Sequence, residues 1–194
     1  IVQVRIAELA ILDLKDRGLI DLKTMKKILS MLETFHFVYN AVMKGNPNSI
    51  EKIYSSFSIE AIQSTDKLAV KVLVNKKLVE PLEKLLPKKE EFAKSFVQLQ
   101  YSKKDAPSNI KAKYVLNKLN CYYEQDELFS EDGSIEHVIA EAEGCLGIGN
   151  LILLEGKLNQ EAEAMLYSEK RTVYKKSKYR WVKEFVDENF TWSQ

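Results

Sequence analysis

The sequence predicts a mostly α protein, in which an N-terminal helical bundle is followed by a short β-hairpin embedded in helices. Through the first hundred residues, apolar side chains recur at the spacing of one helix face. That spacing then gives way to two short apolar runs, 135–140 and 151–154, separated by Gly144, Gly147 and Gly149. Two such runs joined by a glycine-containing segment are typical of a hairpin.

The N-terminal half divides at residues that commonly begin, break or end helices. Gly18 is expected to end the first helix, and Asp21 is expected to cap the second. Ser49 is expected to cap a third helix. A fourth helix is predicted over 67–86 with a break or kink at Pro81, because proline lacks the N–H that a helix interior uses.

A polar stretch at 103–108, which contains Pro107, is the best candidate for a domain boundary. We therefore predict a helical domain at 1–106 and a second domain at 107–194. A chain of 194 residues with 45% hydrophobic content is long enough to bury a core in each.

Composition narrows the function classes only slightly. The 29 basic residues balance 28 acidic ones, so the net charge favours no class of partner. Cys121 and Cys145 lack a Cys-x-x-Cys partner, which argues against a four-ligand zinc site and favours a reducing, cytoplasmic setting. No apolar run approaches the ~18 residues of a membrane span. The chain begins at Ile1 inside an amphipathic pattern, so we expect it to be part of a longer protein.

Three polar residues mark the hairpin region. His137 lies in the first run, and Asn150 and Asn159 follow it at steps of 13 and 9 positions. A strand, a strand and a helix that carry such residues can enclose one metal ion. His137 would serve as a base, since a histidine pKa near ~6.5 leaves the neutral form well populated at pH 7. An oxygen of Glu136 would suit Mg²⁺ as a ligand.

Each of these residues also has an ordinary structural interpretation. A histidine in an apolar strand is usually packed, and adjacent strand residues such as Glu136 and His137 point to opposite faces. Asn150 is also a common turn residue, and Asn159 could simply cap the helix that follows it.

The sequence around these residues resembles a known family. The segments Ile135-Glu136-His137-Val138-Ile139, Gly149-Asn150-Leu151 and Lys157-Leu158-Asn159 resemble the His-Asn-His nucleases. More closely, they resemble the C-terminal nuclease domain of GmrSD-type modification-dependent restriction endonucleases and related phage-defence nickases. The resemblance covers roughly the last 85 residues, because 111–123 resembles the helix that precedes the motif there. The chain departs from the family at Ala140-Glu141, where members usually have Pro-Gln.

The resemblance implies a ββα-metal fold and a metal-dependent DNA endonuclease that nicks one strand. It implies that His137 is the general base, that Asn150 braces the hairpin loop, and that Glu136 and Asn159 hold Mg²⁺ or Mn²⁺. It also implies a cytoplasmic antiviral protein whose upstream part hydrolyses nucleotides and senses DNA modification. Neither the sequence nor the resemblance indicates an oligomeric state.

A basic run follows the hairpin. From Glu169 to Lys183 there are seven basic residues and one acidic residue, with Tyr174, Tyr179 and Trp181 interleaved. Phosphate contacts dominate nucleic-acid affinity, so we expect this run to bind DNA, and Lys170 to contact a phosphate near the metal. The expected DNA-binding residues are Lys170, Arg171, Lys175, Lys176, Lys178 and Arg180. A solvated helix face is the common alternative, and the alternative function is a non-catalytic helical module that binds DNA or protein.

Overall fold

The computed structural model describes residues 3–104, 108–129 and 132–193. The structure is mostly helical with a small two-stranded sheet, which confirms the predicted fold class. The chain divides into two compact units, Ile1–Ser95 and Phe96–Gln194. The boundary predicted between 106 and 107 lies outside the described residues. In the part of the chain that the structure describes, no helix is long and apolar enough to cross a membrane.

The N-terminal unit, which we call the helical unit, is built from α-helices, two of which continue as π-helical turns. They are α1 (Val4–Asp16), α2 (Leu22–His36) with its π-helical continuation Phe37–Val42, α3 (Asn48–Gln63), α4 (Lys67–Leu73) with its π-helical continuation Val74–Val79, and α5 (Glu80–Glu83). The helix α6 (Lys89–Phe96) runs to the end of this unit. Its core is apolar and is centred on α1 and α3, where Ile11, Leu14 and Phe57 are fully buried.

The first two predicted helix ends are confirmed. Gly18 has a positive φ of 70° just after α1, a conformation that glycine adopts without strain. The side chain of Asp21 accepts a hydrogen bond of 2.7 Å from the Thr24 N–H and so caps α2.

Two other predicted details differ in the structure. The helix α3 begins at Asn48, with Pro47 at the capping position, so Ser49 lies inside the helix. The predicted break at Pro81 is instead a π-helical stretch that directly precedes the proline-containing turn α5. A wider turn at this point accommodates a residue that cannot donate a backbone hydrogen bond.

The second unit, which we call the C-terminal unit, packs helices around a hairpin. Its elements are α7 (Ile110–Glu124), β1 (Gly133–His137), the 3₁₀ turns Glu141–Glu143 and Ile148–Asn150, β2 (Leu151–Glu155), α8 (Gly156–Ala162), α9 (Tyr167–Tyr174) and α10 (Arg180–Glu188). The apolar residues of β2 are all buried and join α7 and α10 in one core. The order β1, β2, α8 supplies the two strands and the helix that the sequence predicts.

The strands pair antiparallel, with Gly133 opposite Glu155 and His137 opposite Leu151. The next pair continues the ladder, since the Val138 N–H donates to the Asn150 carbonyl at 2.9 Å. Hydrogen-bonded positions alternate along such a ladder, so Glu136 faces β2 with its backbone groups. The backbone carbonyls of Ile135 and His137 therefore point away from β2, toward the open edge of the sheet.

Residues just before α7 are also part of the C-terminal unit. The Tyr101 N–H donates to the Leu146 carbonyl at 3.0 Å, and the Ile148 N–H donates to the Leu99 carbonyl at 2.8 Å. Gln100 forms an isolated antiparallel bridge with Gly147. These bonds attach 99–101 to the hairpin connection, so these residues belong to the C-terminal unit.

Candidate active site

Asn150 cross-links the connection between the two strands. Its Oδ1 accepts the Ile139 N–H at 2.9 Å, and its Nδ2 donates to the carbonyls of Ile139 and Cys145, both at 2.8 Å. The Trp192 indole N–H also reaches Oδ1, at 3.3 Å. The side chain is buried, so these bonds lie away from competing water. Asn150 thus fixes the loop at Ile139, two residues after His137.

His137 is the last residue of β1 and is only 6% exposed. Its Nε2 lies 2.8 Å from the Tyr101 carbonyl oxygen, and its ring stacks on the Tyr101 ring with centroids 5.8 Å apart. A carbonyl oxygen only accepts hydrogen bonds, so Nε2 carries the hydrogen. In the neutral imidazole the lone pair is then on Nδ1, which is the atom that can take up a proton.

An acidic residue lies near His137. Glu141 Oε1 accepts hydrogen bonds from the Ser102 hydroxyl at 2.6 Å and from the Lys103 N–H at 2.9 Å. The hydrogen bond from Ser102 lowers the pKa of the Glu141 carboxyl, and the charge of His137 lowers it further.

Glu136 is buried in an ion pair. The Lys170 ammonium donates to Glu136 Oε1 at 2.6 Å and to the His137 carbonyl at 2.6 Å. The Tyr174 hydroxyl donates to the same carboxylate oxygen at 3.1 Å. Lys170 has no exposed surface and Glu136 is 5% exposed. Burial raises the pKa of the Tyr174 hydroxyl, and the neighbouring Glu136 charge raises it further, so Tyr174 stays a donor.

Asn159 lies inside α8, whose N-cap is Glu155, so it does not cap that helix. Its Nδ2 donates to the Ser134 hydroxyl and to the Ile135 carbonyl, both at 2.9 Å. Asn159 and Lys170 therefore bond successive carbonyls on the open edge of β1.

The predicted site residues fall into two groups. Because side chains alternate along a strand, Glu136 and His137 leave β1 on opposite faces. Glu136 faces Lys170 and Tyr174, whereas His137 faces Tyr101. Within the described ranges, no direct hydrogen bond joins His137 to Glu136 or to Asn159.

Comparison with known families bears on this unit. Residues 146–194 match the C-terminal domain of the GmrSD restriction endonucleases. Over residues 146–194 this match confirms the predicted family; it includes Asn150, Asn159 and Lys170 and does not extend to Glu136 or His137. Comparison of the chain with curated proteins and with solved structures gives no significant match.

Two side chains of the C-terminal unit have oxygen atoms suited to a cation. Glu136 makes its two side-chain contacts through Oε1, and Asn159 makes both of its contacts through Nδ2. Oε2 and Oδ1 are the remaining donors, and one carboxylate with one amide fits Mg²⁺, which keeps several waters. Among the described residues, no three His, Cys, Asp or Glu side chains cluster as a richer metal site would require.

Most side chains of the basic run contact other residues of the C-terminal unit. Lys170 is inside the C-terminal unit, so it is not placed to contact a DNA phosphate in this structure. The Arg171 guanidinium lies 4.8 Å from the centroid of the Phe190 ring. The other four expected DNA-binding residues are exposed and form ion pairs, namely Lys175–Asp187, Lys176–Glu161, Lys178–Asp132 and Arg180–Glu184.

Sequence reasoning did not identify Tyr101, Ser102 or Glu141 as part of the site. Tyr101 and Ser102 lie 36 and 39 positions before their partners, and no local pattern connects them. The burial of Lys170 has a correlate in the sequence. Lys170 shares one face of α9, at helical spacing, with Val173 and Tyr174, and both of these residues are also buried.

Proposed function

We propose that the C-terminal unit is a metal-dependent DNA endonuclease of the His-Asn-His class, which nicks one strand as part of a restriction or phage-defence protein. The match to the GmrSD C-terminal domain supports a nuclease related to restriction endonucleases. The observation that carries the proposal is the hydrogen bond from His137 Nε2 to the Tyr101 carbonyl, because it leaves Nδ1 as the basic atom.

In the proposed reaction, His137 Nδ1 removes a proton from a water molecule as that water attacks the phosphorus of a phosphodiester. The Tyr101 carbonyl keeps the imidazole in one tautomer and one orientation. Glu141, held by Ser102, balances the positive charge that His137 gains. Asn150 keeps the following loop, and so the end of β1, in place.

Glu136 Oε2 and Asn159 Oδ1 are the proposed ligands of Mg²⁺ or Mn²⁺. When bound, the cation would stabilise the negative charge of the phosphate and of the leaving oxygen. One carboxylate and one amide leave room for the waters that Mg²⁺ retains.

The proposed DNA contact consists of the exposed residues Lys175, Lys176, Lys178 and Arg180, together with the half-buried Arg171. Exposed ion pairs contribute about 0–1 kcal/mol each, so a DNA phosphate can replace an acidic partner at little cost. Backbone contacts of this kind release counterions but carry little sequence information. Because one such site cuts one strand, we expect nicks unless two copies act together.

Other parts of the proposal extend beyond these residues. An upstream nucleotide-hydrolysing domain that senses DNA modification would regulate cutting, as in the family that the sequence resembles. A cytoplasmic location is compatible with Cys121 and Cys145, neither of which forms a disulfide in the part of the chain that the structure describes.

A plasmid-nicking assay with Mg²⁺ or Mn²⁺ tests the proposal. We expect His137→Ala to lower the nicking rate by about 10²–10⁴-fold, the contribution typical of a general base. His36→Gln is the matched control, because His36 is the other histidine and lies in the helical unit. Equal nicking by wild type and His137→Ala would reject His137 as the base. Absence of nicking with either metal, together with retained DNA binding, would favour the non-catalytic binding module.

A further inference from the structure

Lys170 is a fully buried lysine, and such a residue requires an explanation. An isolated ammonium is costly to remove from water, and buried lysines are therefore paired or hydrogen-bonded. Even a well-paired buried salt bridge is often no more stabilising than apolar residues of similar volume. A methionine would fill the same space on α9, between the core of the unit and β1. Stability alone therefore does not account for a lysine here.

The contacts of Lys170 show what the charge does. One ammonium bonds the side chain of Glu136 and the backbone carbonyl of the next residue, His137, at 2.6 Å each. These two acceptors flank the point where β1 ends. Fixing both atoms fixes the direction of the Glu136 carboxylate and the plane of the peptide that follows His137.

The neighbouring residue on the same helix face strengthens this arrangement. Tyr174 lies four positions after Lys170, so the two side chains project from one face of α9. The Tyr174 hydroxyl donates to the same Oε1 atom that accepts from Lys170. Two donors therefore bond the same carboxylate oxygen, Oε1. The other oxygen, Oε2, is then the atom that can bind a cation.

We propose that Lys170 is a positioning residue, whose buried ammonium holds the carboxylate of Glu136 and the backbone carbonyl of His137 together at the end of β1. The inference rests on the proposed function only in naming Glu136 as a ligand and His137 as the base. Lys170 acts through these two residues and does not contact DNA.

The energetic part of the proposal is tested with Lys170→Met, Glu136→Gln and the double variant in the full chain. Both tryptophans, Trp181 and Trp192, lie in the C-terminal unit, so tryptophan fluorescence follows that unit alone. Lys170→Met leaves a buried carboxylate without its cation, and we expect it to lower the unfolding midpoint by more than about 10 °C. The double variant removes both charges and should recover at least half of that loss.

The matched control is the exposed pair Lys176–Glu161 in the same unit. Lys176→Met, Glu161→Gln and their double variant should each shift the midpoint by less than about 5 °C, because exposed pairs are weak. If the Lys170 variants behave like this control, or if the double variant is no more stable than Lys170→Met, the proposal is wrong.

A second measurement separates positioning from a role in stability alone. The chain has two histidines, one in each unit, so the imidazole ¹⁵N and ¹H resonances of His137 are assigned by comparison with His36→Gln. In the double variant Glu136→Gln/Lys170→Met, at fixed pH, we expect the His137 resonances to move and the His36 resonances to stay. Unchanged His137 resonances in the folded double variant would overturn the proposal.

These measurements use neither DNA nor metal. A failure to nick plasmid would therefore reject the proposed function and leave the role of Lys170 intact. Conversely, an unperturbed His137 in the double variant would reject the positioning role without affecting the nuclease assay.

Discussion

The two histidines of the chain are hydrogen-bonded in opposite ways. In the helical unit, His36 Nδ1 lies 2.6 Å from Asn40 Oδ1, and its Nε2 lies 2.8 Å from the Tyr54 hydroxyl. A neutral ring satisfies both contacts when Nδ1 donates to the amide oxygen and Nε2 accepts from the hydroxyl. In the C-terminal unit, His137 instead donates from Nε2 to a carbonyl.

This difference decides which ring can act as a base. Both nitrogens of His36 have partners, Asn40 in the continuation of α2 and Tyr54 in α3, so the lone pair of this ring is already occupied. The hydrogen bond of His137 orients the ring and leaves the lone pair of Nδ1 for a reacting proton. His137 is the more buried of the two rings, so the partners of each nitrogen are more informative than exposure.

The surroundings of the two rings differ as well. Among the described residues of the helical unit, Ser58 is the buried polar residue, and the rest of its core is apolar. The described part of the C-terminal unit buries eight polar or charged residues, namely Ser102, Asn117, Asn120, Glu136, His137, Asn150, Lys170 and Ser177. Networks of this kind are costly unless satisfied, which makes the C-terminal unit the region where function is expected.

The largest effect on the stability of the C-terminal unit is expected from Asn150→Ala. The variant leaves the backbone groups of Ile139 and the Cys145 carbonyl without their partner. We expect the free energy of unfolding of the C-terminal unit to fall by about 2–4 kcal/mol, at roughly 1 kcal/mol for each hydrogen bond. Urea denaturation followed by tryptophan fluorescence measures the change.

Asn117→Ala is the control for Asn150→Ala. Asn117 is also buried, but among the described residues its amide donates to a single acceptor, the Lys113 carbonyl within α7. We expect its effect to be less than half as large. A loss at Asn150 that is no greater than the loss at Asn117 would show that the loop does not depend on Asn150.

A smaller effect is expected from the pH dependence of the helical unit. Burial lowers the pKa of His36 below its usual 6.5, although the Asn40 hydrogen bond opposes the shift. The unfolded chain takes up a proton first, so the free energy of unfolding should fall as the pH drops below about 6.5. The loss should stop once the pH passes the lowered pKa of folded His36.

His36→Gln should remove this dependence between pH 7.5 and pH 5. The difference between the two proteins is measured by urea denaturation followed by far-UV circular dichroism. Asp21 and Glu80 also have lowered pKa values, but carboxyl groups of this kind affect stability at lower pH. A pH dependence that persists in His36→Gln would mean that another group titrates in this range.

The smallest expected effect is a difference in tautomer between His137 and His36, which is measured in the wild-type protein. At pH 7.5, ¹⁵N chemical shifts should identify the hydrogen on Nε2 of His137 and on Nδ1 of His36. The assignment of each resonance comes from His36→Gln. If both histidines carried the hydrogen on the same nitrogen, the two rings would not differ as described. The reason for choosing Nδ1 of His137 as the base would then be removed.

Features set by local chemistry were predictable from the sequence. Gly18 and Asp21 mark helix ends because their own backbone or side chain decides the turn. The hairpin followed from the alternation of short apolar runs with glycine, and the role of Asn150 in the loop followed from the family resemblance. Asn159 was expected on the helix after the second strand, and it lies in α8.

Features set by distant contacts were not predictable. The Tyr101 carbonyl and Ser102 reach the site only because 99–101 packs against the hairpin connection. A run of seven basic residues also does not reveal which one turns inward, since burial of Lys170 depends on Glu136, 34 positions earlier. Contacts between side chains that are far apart in the sequence depend on the tertiary structure, so local patterns do not predict them.

The bonds that Asn159 and Lys170 make along β1 have a consequence for self-association. A two-stranded sheet exposes backbone groups on its outer strand, which can recruit a strand from another molecule. Here the carbonyls of Ile135 and His137 are already taken by side chains. A third strand could not add there without displacing an amide and an ammonium, so the hairpin is protected against the growth of fibrils from that side.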